Sequence, residues 1–151
     1  MHVPGTIQSV LNLKQNPDLV YTISPDATVF EVLQILADKN VGALIVVDKD
    51  KPIGIVSERD YARKVILHGR HSKETLVKDI ISKELITISP DQSVEDAMRL
   101  MTQHRVRHLP VLKEGKIIGI VSIGDLVNYV IKAQDQMIKQ MENYIQGTYT
   151  V

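Results

Sequence analysis

The stretch Gly54-Ile55-Val56-Ser57-Glu58-Arg59-Asp60 returns 65 positions later (119 − 54) as Gly119-Ile120-Val121-Ser122-Ile123-Gly124-Asp125. The match extends outward, because Thr22 to Val65 aligns with Thr87 to Val130 at the same offset without a gap. A gapless internal repeat indicates one supersecondary unit built twice, and such units bury a shared face against each other. We therefore expect a pseudo-twofold module with its candidate sites in the clefts between the two halves.

The composition is typical of one small globular domain. Of the 151 residues, 44% are hydrophobic, which is enough for a packed core. The formal net charge is zero, which argues against nucleic acid as a partner, since phosphate binding leaves a basic footprint. The absence of cysteine excludes disulfides and thiolate chemistry. Without a signal-like N-terminus or an apolar run of about 18 residues, the sequence predicts a soluble cytoplasmic protein that does not bind membranes.

Each repeat predicts the element order β-α-β-β-α. In the first repeat, Thr28 and Glu31 form a capping box at the start of a helix that ends near Asn40. Two strands follow, and then a final helix begins after Ser57. That helix is expected to carry three side chains inward: Tyr61, Val65 and Ile66. Arg63 and Lys64, on the same helix, are interpreted as part of a solvated face.

The second repeat follows the same plan, with Ser93 and Asp96 in the capping-box positions. A short amphipathic helix capped by Thr6 precedes the repeats, and the last helix continues to about Gln146, with Gly147 as its cap. The predicted fold class is α+β. The predicted organisation is an N-terminal helix and linker (1–18), a first repeat (19–68), a linker (69–78), a second repeat (79–133), and a C-terminal helix extension and tail (134–151).

The repeated heptapeptide carries chemistry suited to a nucleotide. A glycine within a strand permits close approach of a ligand. A serine at a helix start, together with the N-terminal amides, suits a phosphate, and an aspartate one turn later accepts hydrogen bonds from ribose hydroxyls. Ser-x-x-Asp alone also describes a simple capping box that needs no ligand. The glycine at the same upstream distance in both repeats favours the ligand interpretation, which covers Gly54, Ser57, Asp60, Gly119, Ser122 and Asp125.

Paired β-α-β-β-α units that each end in Gly-apolar-x-Ser/Thr-x-x-Asp resemble tandem CBS domains, named for cystathionine β-synthase. The likeness covers nearly the whole chain. Arg105-Val106-Arg107-His108-Leu109-Pro110-Val111 and Asn143-Tyr144-Ile145-Gln146-Gly147 are similar to stand-alone bacterial CBS pairs and their plant organellar relatives. The resemblance implies an adenosine-containing ligand between the repeats, with AMP first, ADP, ATP or NAD(H) next, and S-adenosylmethionine in some members. It also implies a regulatory homodimer that acts on a separate partner protein.

The resemblance further implies which residues form each cleft. One cleft would use Ser57, Arg59 and Asp60, with Lys78, Ile80 and Ile81 around the base and Arg107 or His108 near the phosphate. The other would use Ser122 and Asp125 with the Asp18 to Tyr21 segment and Val41-Gly42. The repeat equivalents of Arg107 and His108 are Gly42 and Ala43, so we expect the first cleft to be the stronger phosphate site. The alternative for Arg107 is an ordinary surface ion pair.

Two other classes of function stay open from the residues. The first is an enzyme, but the chain has no Walker loop, no Gly-x-Gly-x-x-Gly turn and no Gly-x-Ser-x-Gly elbow, and Asp60 and Asp125 are expected in different clefts. The second is a ligand-independent interaction module with vestigial clefts. His104 and His108 have the spacing of a helical zinc pair, but the repeat register puts them on different elements, so no metal site is predicted.

Overall fold

The computed structural model describes residues 3–17, 19–81 and 84–145, which form two halves related by the repeat. The elements in chain order are α1 (Ile7–Asn12), β1 (Thr22–Ile23), α2 (Val29–Lys39), β2 (Ala43–Asp48), β3 (Lys51–Ser57), α3 (Glu58–Asp60), α4 (Val94–His104), β4 (His108–Lys113), β5 (Lys116–Ser122) and α5 (Ile123–Ile145). A π-helical turn (Tyr61–Val65) and a 3₁₀ turn (Ile66–His68) follow α3, and another 3₁₀ turn spans Val77–Asp79.

Each repeat forms a small sheet around an antiparallel hairpin. The hairpins β2–β3 and β4–β5 have equivalent registers, since Val46 pairs with Gly54 and Val111 pairs with Gly119. β1 adds to β2 in parallel. In the second repeat, Ile88 makes an isolated parallel bridge to Val111 in place of that strand, so the two sheets have three and two strands. The predicted α+β fold and repeat plan are confirmed, with the first strand of the second repeat reduced to a bridge.

The two long helices before the hairpins, α2 and α4, begin at the predicted capping boxes. Thr28 and Ser93 each accept a hydrogen bond from the amide three residues later, while the side chains of Glu31 and Asp96 bind back. Both helices end at a left-handed residue, Asn40 in the first repeat and Arg105 in the second. The left-handed conformation is easier for asparagine than for arginine. Arg105 nevertheless adopts the left-handed conformation, and its side chain lines a cleft between the repeats.

Each repeat's core is completed by the segment that precedes the other repeat. Ile7 and Leu11 of α1 pack into the cluster of the second repeat, and the amide of Ile7 donates to the carbonyl of Gln92. Val77, after the first repeat, packs into the core of that repeat, and its amide donates to the carbonyl of Ala27. Because α1 packs on the second repeat and the chain then continues into the first, the halves interlock.

The repeated strand glycines lie where these crossing segments meet the sheets. A Cβ atom added at Gly119 would lie 2.9 Å from Cδ2 of Leu11, and one added at Gly54 would lie 3.1 Å from Cδ1 of Ile81. The two glycines were expected to leave space for a ligand. In the structure, side chains of the protein itself fill that space at both positions.

The final helix of the first repeat differs from the prediction. Only one turn, α3, is α-helical, and the amide of Ile66 then donates to the carbonyl of Tyr61, five residues back. This π-helical step rotates the side chains that follow it. Val65 is buried and Tyr61 half-buried, as predicted, but Ile66 is 53% exposed, so its predicted inward orientation is wrong.

In the second repeat, by contrast, α5 is continuous for 23 residues. The predicted end of this helix at Gln146 and its cap at Gly147 lie outside the described residues. Within the described ranges, no helix combines the length and the apolar character needed to cross a membrane.

Candidate functional site

Two clefts lie between the repeats, one beside each Ser-x-x-Asp motif. The first is a cavity of about 450 Å³ between the junction of β3 with α3 and the segment that leads into β4. It brings together several of the predicted site residues: Gly42, Ser57, Arg59, Asp60, Arg107 and His108. Three cations that the sequence argument did not place in it, Arg63, Lys64 and Arg105, also line its wall.

The second cleft is a cavity of about 470 Å³ beside the start of α5. It contains the predicted residues Tyr21, Val41, Gly42, Ser122 and Asp125. Asp18 lies outside the described residues. Asp60 and Asp125 therefore lie in separate clefts, as predicted, while Gly42 and His108 line both.

The three residues predicted around the nucleobase, Lys78, Ile80 and Ile81, are not among those that line the first cleft. Ile81 packs against Gly54, and Ile80 is buried with its carbonyl accepting a hydrogen bond from Nζ of Lys64 at 2.9 Å. The ammonium of Lys78 lies 3.4 Å from Oδ1 of Asp26, away from the residues that line the cleft. Their contact with a base stays a prediction.

The first motif forms a complete capping box. Oδ2 of Asp60 accepts hydrogen bonds from the amide of Ser57 at 2.9 Å and from its hydroxyl at 3.1 Å, and the amide of Asp60 donates to the Ser57 hydroxyl. The other carboxylate oxygen, Oδ1, lies 3.3 Å from Nζ of Lys64. The capping interpretation is confirmed. It does not exclude a ligand, because Oδ1 is held by one half-exposed ammonium alone.

The second motif has the same box with a different lysine. Oδ2 of Asp125 accepts from the amide of Ser122 at 2.8 Å and lies 3.1 Å from Nζ of Lys14. Lys14 follows α1 in the crossing segment, and its ammonium also donates to the carbonyl of Ile120 at 2.7 Å. Lys14 was not predicted at this site, because the resemblance placed only the Asp18 to Tyr21 segment there and not the residues before it.

Several amides at the helix starts are already used within the protein. The amide of Glu58 donates to the carbonyl of Gly42, and the equivalent amide of Ile123 donates to the carbonyl of Arg107. The amides of Ser57 and Asp60 are used in the capping box. The expectation that helix-start amides form the phosphate site stays a prediction, and at α3 these three amides are not available for it.

Two ionisable side chains report the electrostatics of the clefts. The pKa of Arg59 is lowered, mainly by the guanidinium of Arg63 and then by burial and by Arg107. For His108, burial is the main cause that lowers the pKa, with Lys14 and Arg107 acting in the same direction and Asp125 and Asp60 opposing. His108 is thus held toward its neutral form between the two clefts. Among the described residues, no three His, Asp or Glu side chains are grouped to bind a metal ion.

The lowered pKa of His108 predicts a pH-dependent stability. The unfolded chain binds a proton at His108 near pH 6.5, whereas the folded protein binds it only at lower pH. The free energy of unfolding should therefore fall as the pH decreases below about 6.5, with a slope of at most about 1.4 kcal/mol per pH unit from this one proton. Urea unfolding at pH 7, 6 and 5 measures this slope. His108→Gln should reduce it, and an unchanged slope in that variant would contradict the prediction.

The fold and the paired clefts define a tandem module, and the sequence comparisons identify its class. The CBS domain family matches residues 16–67 and 77–132, so the chain belongs to that family as a tandem CBS pair.

Among its relatives is the mitochondrial CBS domain-containing protein CBSX3 of Arabidopsis thaliana, which is 45% identical over 129 residues, covering 82% of this chain and 63% of that protein. The chain therefore spans less than two thirds of the length of that relative. A solved protein with CBS domains from Burkholderia ambifaria is 46% identical, with a TM-score of 0.83 over 86% of this chain and 96% of that one.

One more distant structure bears on the fold. The CBS domain pair of protein MJ0100, solved in complex with 5′-methylthioadenosine and S-adenosyl-L-methionine, has a TM-score of 0.69 at 21% identity, over 82% of this chain and 94% of that one. At this identity the likeness concerns the fold alone. The prediction from the repeated motif that the chain is similar to tandem CBS domains is confirmed.

Proposed function

We propose that this CBS pair is a non-catalytic regulatory module that binds an adenosine nucleotide between its repeats. Occupancy of the cleft would change the conformation or the dimer packing of the module, and a separate partner protein would respond to that change. The observation that carries this proposal is the first cleft, where Ser57, Asp60, Arg59 and Arg107 converge from both repeats on one cavity. The MJ0100 pair, which has the same fold, holds adenosine compounds.

The chemistry of the first cleft suits the parts of a nucleotide. A ribose hydroxyl would donate to Oδ1 of Asp60 in place of Lys64, whose ammonium would then be released toward the phosphate. Arg59 and Arg107 offer planar donors for phosphate oxygens. A ligand shifts a conformational equilibrium only by its differential affinity for the two states. The Asp60–Lys64 ion pair is one contact that would differ between the free and the ligand-bound states.

The experiment is calorimetric titration of AMP, ATP, NADH and S-adenosylmethionine into the wild type, Asp60→Ala and Asp125→Ala. Saturable binding that is weakened at least about tenfold by Asp60→Ala is expected, since a lost hydrogen bond to a charged group is worth about 1.5–3 kcal/mol. Binding of none of the four ligands would contradict the proposal.

Asp96→Ala is the matched control for this experiment. Asp96 forms the same capping box with Ser93 at the start of α4, but it lines neither cleft. Removal of the Asp96 carboxylate therefore weakens a helix cap in the same way without removing a proposed ligand contact. Equal loss of binding in Asp96→Ala and Asp60→Ala would mean that the loss comes from destabilisation of the fold and not from the cleft.

The exposed apolar side chains of α5 support a homodimer. Beyond the second repeat this helix exposes a set of large apolar side chains: Met137, Ile138, Met141, Tyr144 and Ile145. We propose that they pack on a second copy. Light scattering should give twice the chain mass of 17.0 kDa, and a monomer would contradict this. A dimer that binds none of the four ligands would favour the interaction module with vestigial clefts. The cytoplasmic location stays a prediction, since the Arabidopsis relative is described as mitochondrial.

A further inference from the structure

The first cleft has a large surplus of positive charge. Among its lining residues are five cations (Arg59, Arg63, Lys64, Arg105 and Arg107) and two carboxylates (Glu58 and Asp60). Asp60 is already paired with Lys64. Within the described part of the chain, no hydrogen bond or ion pair joins any of the four guanidinium groups to a carboxylate. Four arginines therefore face one cavity with Glu58 as the remaining acidic group in its wall.

This charge is absent from the matching positions of the other repeat. At the offset of 65, the equivalents of Arg59, Arg63, Lys64, Arg105 and Arg107 are Gly124, Asn128, Tyr129, Asn40 and Gly42. All five replacements are uncharged. The duplicated fold needs no cation at these positions, since the second copy is built without them. The cations therefore reflect a requirement of the first cleft itself.

Three of the four arginines, Arg59, Arg63 and Arg107, are close enough to act on one another. Arg63 is the main cause that lowers the pKa of Arg59, and Arg107 acts in the same direction from the other repeat. Like charges held together without a counter-ion are unfavourable, and an anion between them removes the repulsion. Since the amides of Glu58 and Asp60 are used internally, the arginine side chains are the main donors that an anion in this cleft would meet. Arginine binds phosphate oxygens through two parallel hydrogen bonds.

We infer that the first cleft selects a nucleoside di- or triphosphate over the monophosphate, with Arg63 and Arg105 contacting the phosphates beyond the first. This inference rests on the proposed function and specifies its ligand class. One phosphate has too few oxygens to accept hydrogen bonds from four guanidinium groups that approach from two repeats. A chain of two or three phosphates has enough oxygens and enough negative charge to pair with all four. The AMP expected from the family resemblance is then the weaker ligand.

The second cleft provides an internal comparison. Its cations are Lys14, which is paired with Asp125, and Lys39, whose ammonium lies 5.7 Å from the ring centre of Tyr21. Both have partners within the protein. Selectivity for additional phosphates should therefore belong to the first cleft, and should persist in Asp125→Ala.

The test is calorimetric titration of adenosine, AMP, ADP, ATP and inorganic tripolyphosphate at constant ionic strength without divalent metal. ATP should bind at least about tenfold more tightly than AMP, because the added phosphates accept further charge-assisted hydrogen bonds from the arginines. The readout is the ratio of the AMP to the ATP dissociation constant. In the double variant that combines Arg63→Gln with Arg105→Gln, this ratio should fall toward one.

Arg70→Gln is the surface control, since it removes one positive charge from an exposed arginine that does not line the first cleft. The ratio in this control should equal that of the wild type. Thermal unfolding of each variant shows that it is folded. Equal affinities for AMP and ATP in the wild type would overturn the inference but leave the proposed function intact. Binding of tripolyphosphate as tight as that of ATP would overturn the nucleoside part, and binding of no adenosine compound would overturn both.

Discussion

Replacement of Leu11 by alanine is expected to destabilise the protein by about 2–5 kcal/mol, the usual range for a leucine deleted from a packed core. Leu11 is 2% exposed and belongs to the core of the second repeat, although it lies before the first repeat in the chain. Since small proteins are stable by only about 5–15 kcal/mol, this one change could remove a large part of the total. Urea unfolding followed by circular dichroism measures the change.

Leu13→Ala is the matched control for this prediction. Leu13 directly follows the six residues of α1 and is 42% exposed, so the same atoms are removed with little change in burial. Its effect should lie within about 0.5 kcal/mol, as for most surface substitutions. If the two variants lose equally little stability, α1 is not packed as described, and the interlocked arrangement of the halves would be wrong.

Much of the fold could be predicted from the sequence because the local signals agree with one another. The capping boxes at Thr28 and Ser93 mark where α2 and α4 begin, and each position has a side chain that binds the orphan amides of the helix. The polar turns between the hairpin strands have left-handed residues, Asp50 and Glu114 among them. These features depend on neighbours within a few residues, and such neighbours are visible in a sequence.

The crossing of the segments between the repeats could not be deduced from the residues themselves. The spacing of Ile7, Val10 and Leu11 predicts a helix with one apolar face, but both repeats offer an apolar surface that such a helix fits. Only the tertiary structure shows that α1 packs on the second repeat. The same limit explains why Lys14 was missed, since its contact with Asp125 depends on where α1 packs.

The motif residues of the first cleft were predicted from the sequence, whereas most of its positive charge was not. Ser57, Asp60 and Arg107 line one cleft, as the resemblance implied. Arg63 and Lys64 were assigned to a solvated face, and Arg63 is exposed and Lys64 40% exposed, yet both also line the first cleft. Whether an exposed face borders a cleft depends on the packing of the other repeat, which the residues of this helix do not show. The excess of arginine at positions that are uncharged in the other repeat is nevertheless a visible signal.

The two clefts therefore share a backbone and differ in chemistry. Both have a capping box whose carboxylate meets a lysine, Lys64 in the first and Lys14 in the second. Lys64 belongs to the same repeat as Asp60, whereas Lys14 comes from the crossing segment. Loss of the Lys14–Asp125 pair would consequently remove a contact between the segment after α1 and the second repeat, whereas loss of the Lys64–Asp60 pair would not.

Gly119→Ala is expected to destabilise the protein by about 1–3 kcal/mol, as for an added methyl group in a packed core. The new Cβ atom would lie 2.9 Å from Cδ2 of Leu11 and 3.1 Å from the carbonyl oxygen of Pro17. Gly124→Ala is the matched control, because its Cβ atom would lie 3.6 Å from Oγ of Ser122, an ordinary contact. In the helix α5 that change should be neutral or stabilise by up to about 1 kcal/mol. Urea unfolding should show a loss of stability in Gly119→Ala and no loss in Gly124→Ala.

The pair Leu11→Ala with Gly119→Ala tests whether these two effects have one cause. If the added methyl group is unfavourable because it meets Leu11, truncation of Leu11 gives it room, and the second substitution should then cost less than it does alone. The double variant should be more stable than the sum of the single effects predicts, by at least about 0.5–1 kcal/mol, which exceeds the usual scatter of additivity. The contact of Gly119 with Pro17 would remain, so full recovery is not expected. Additive effects would show that Leu11 does not fill the space left by this glycine, and the close approach at the repeated motif would then be open to a ligand, as the sequence first indicated.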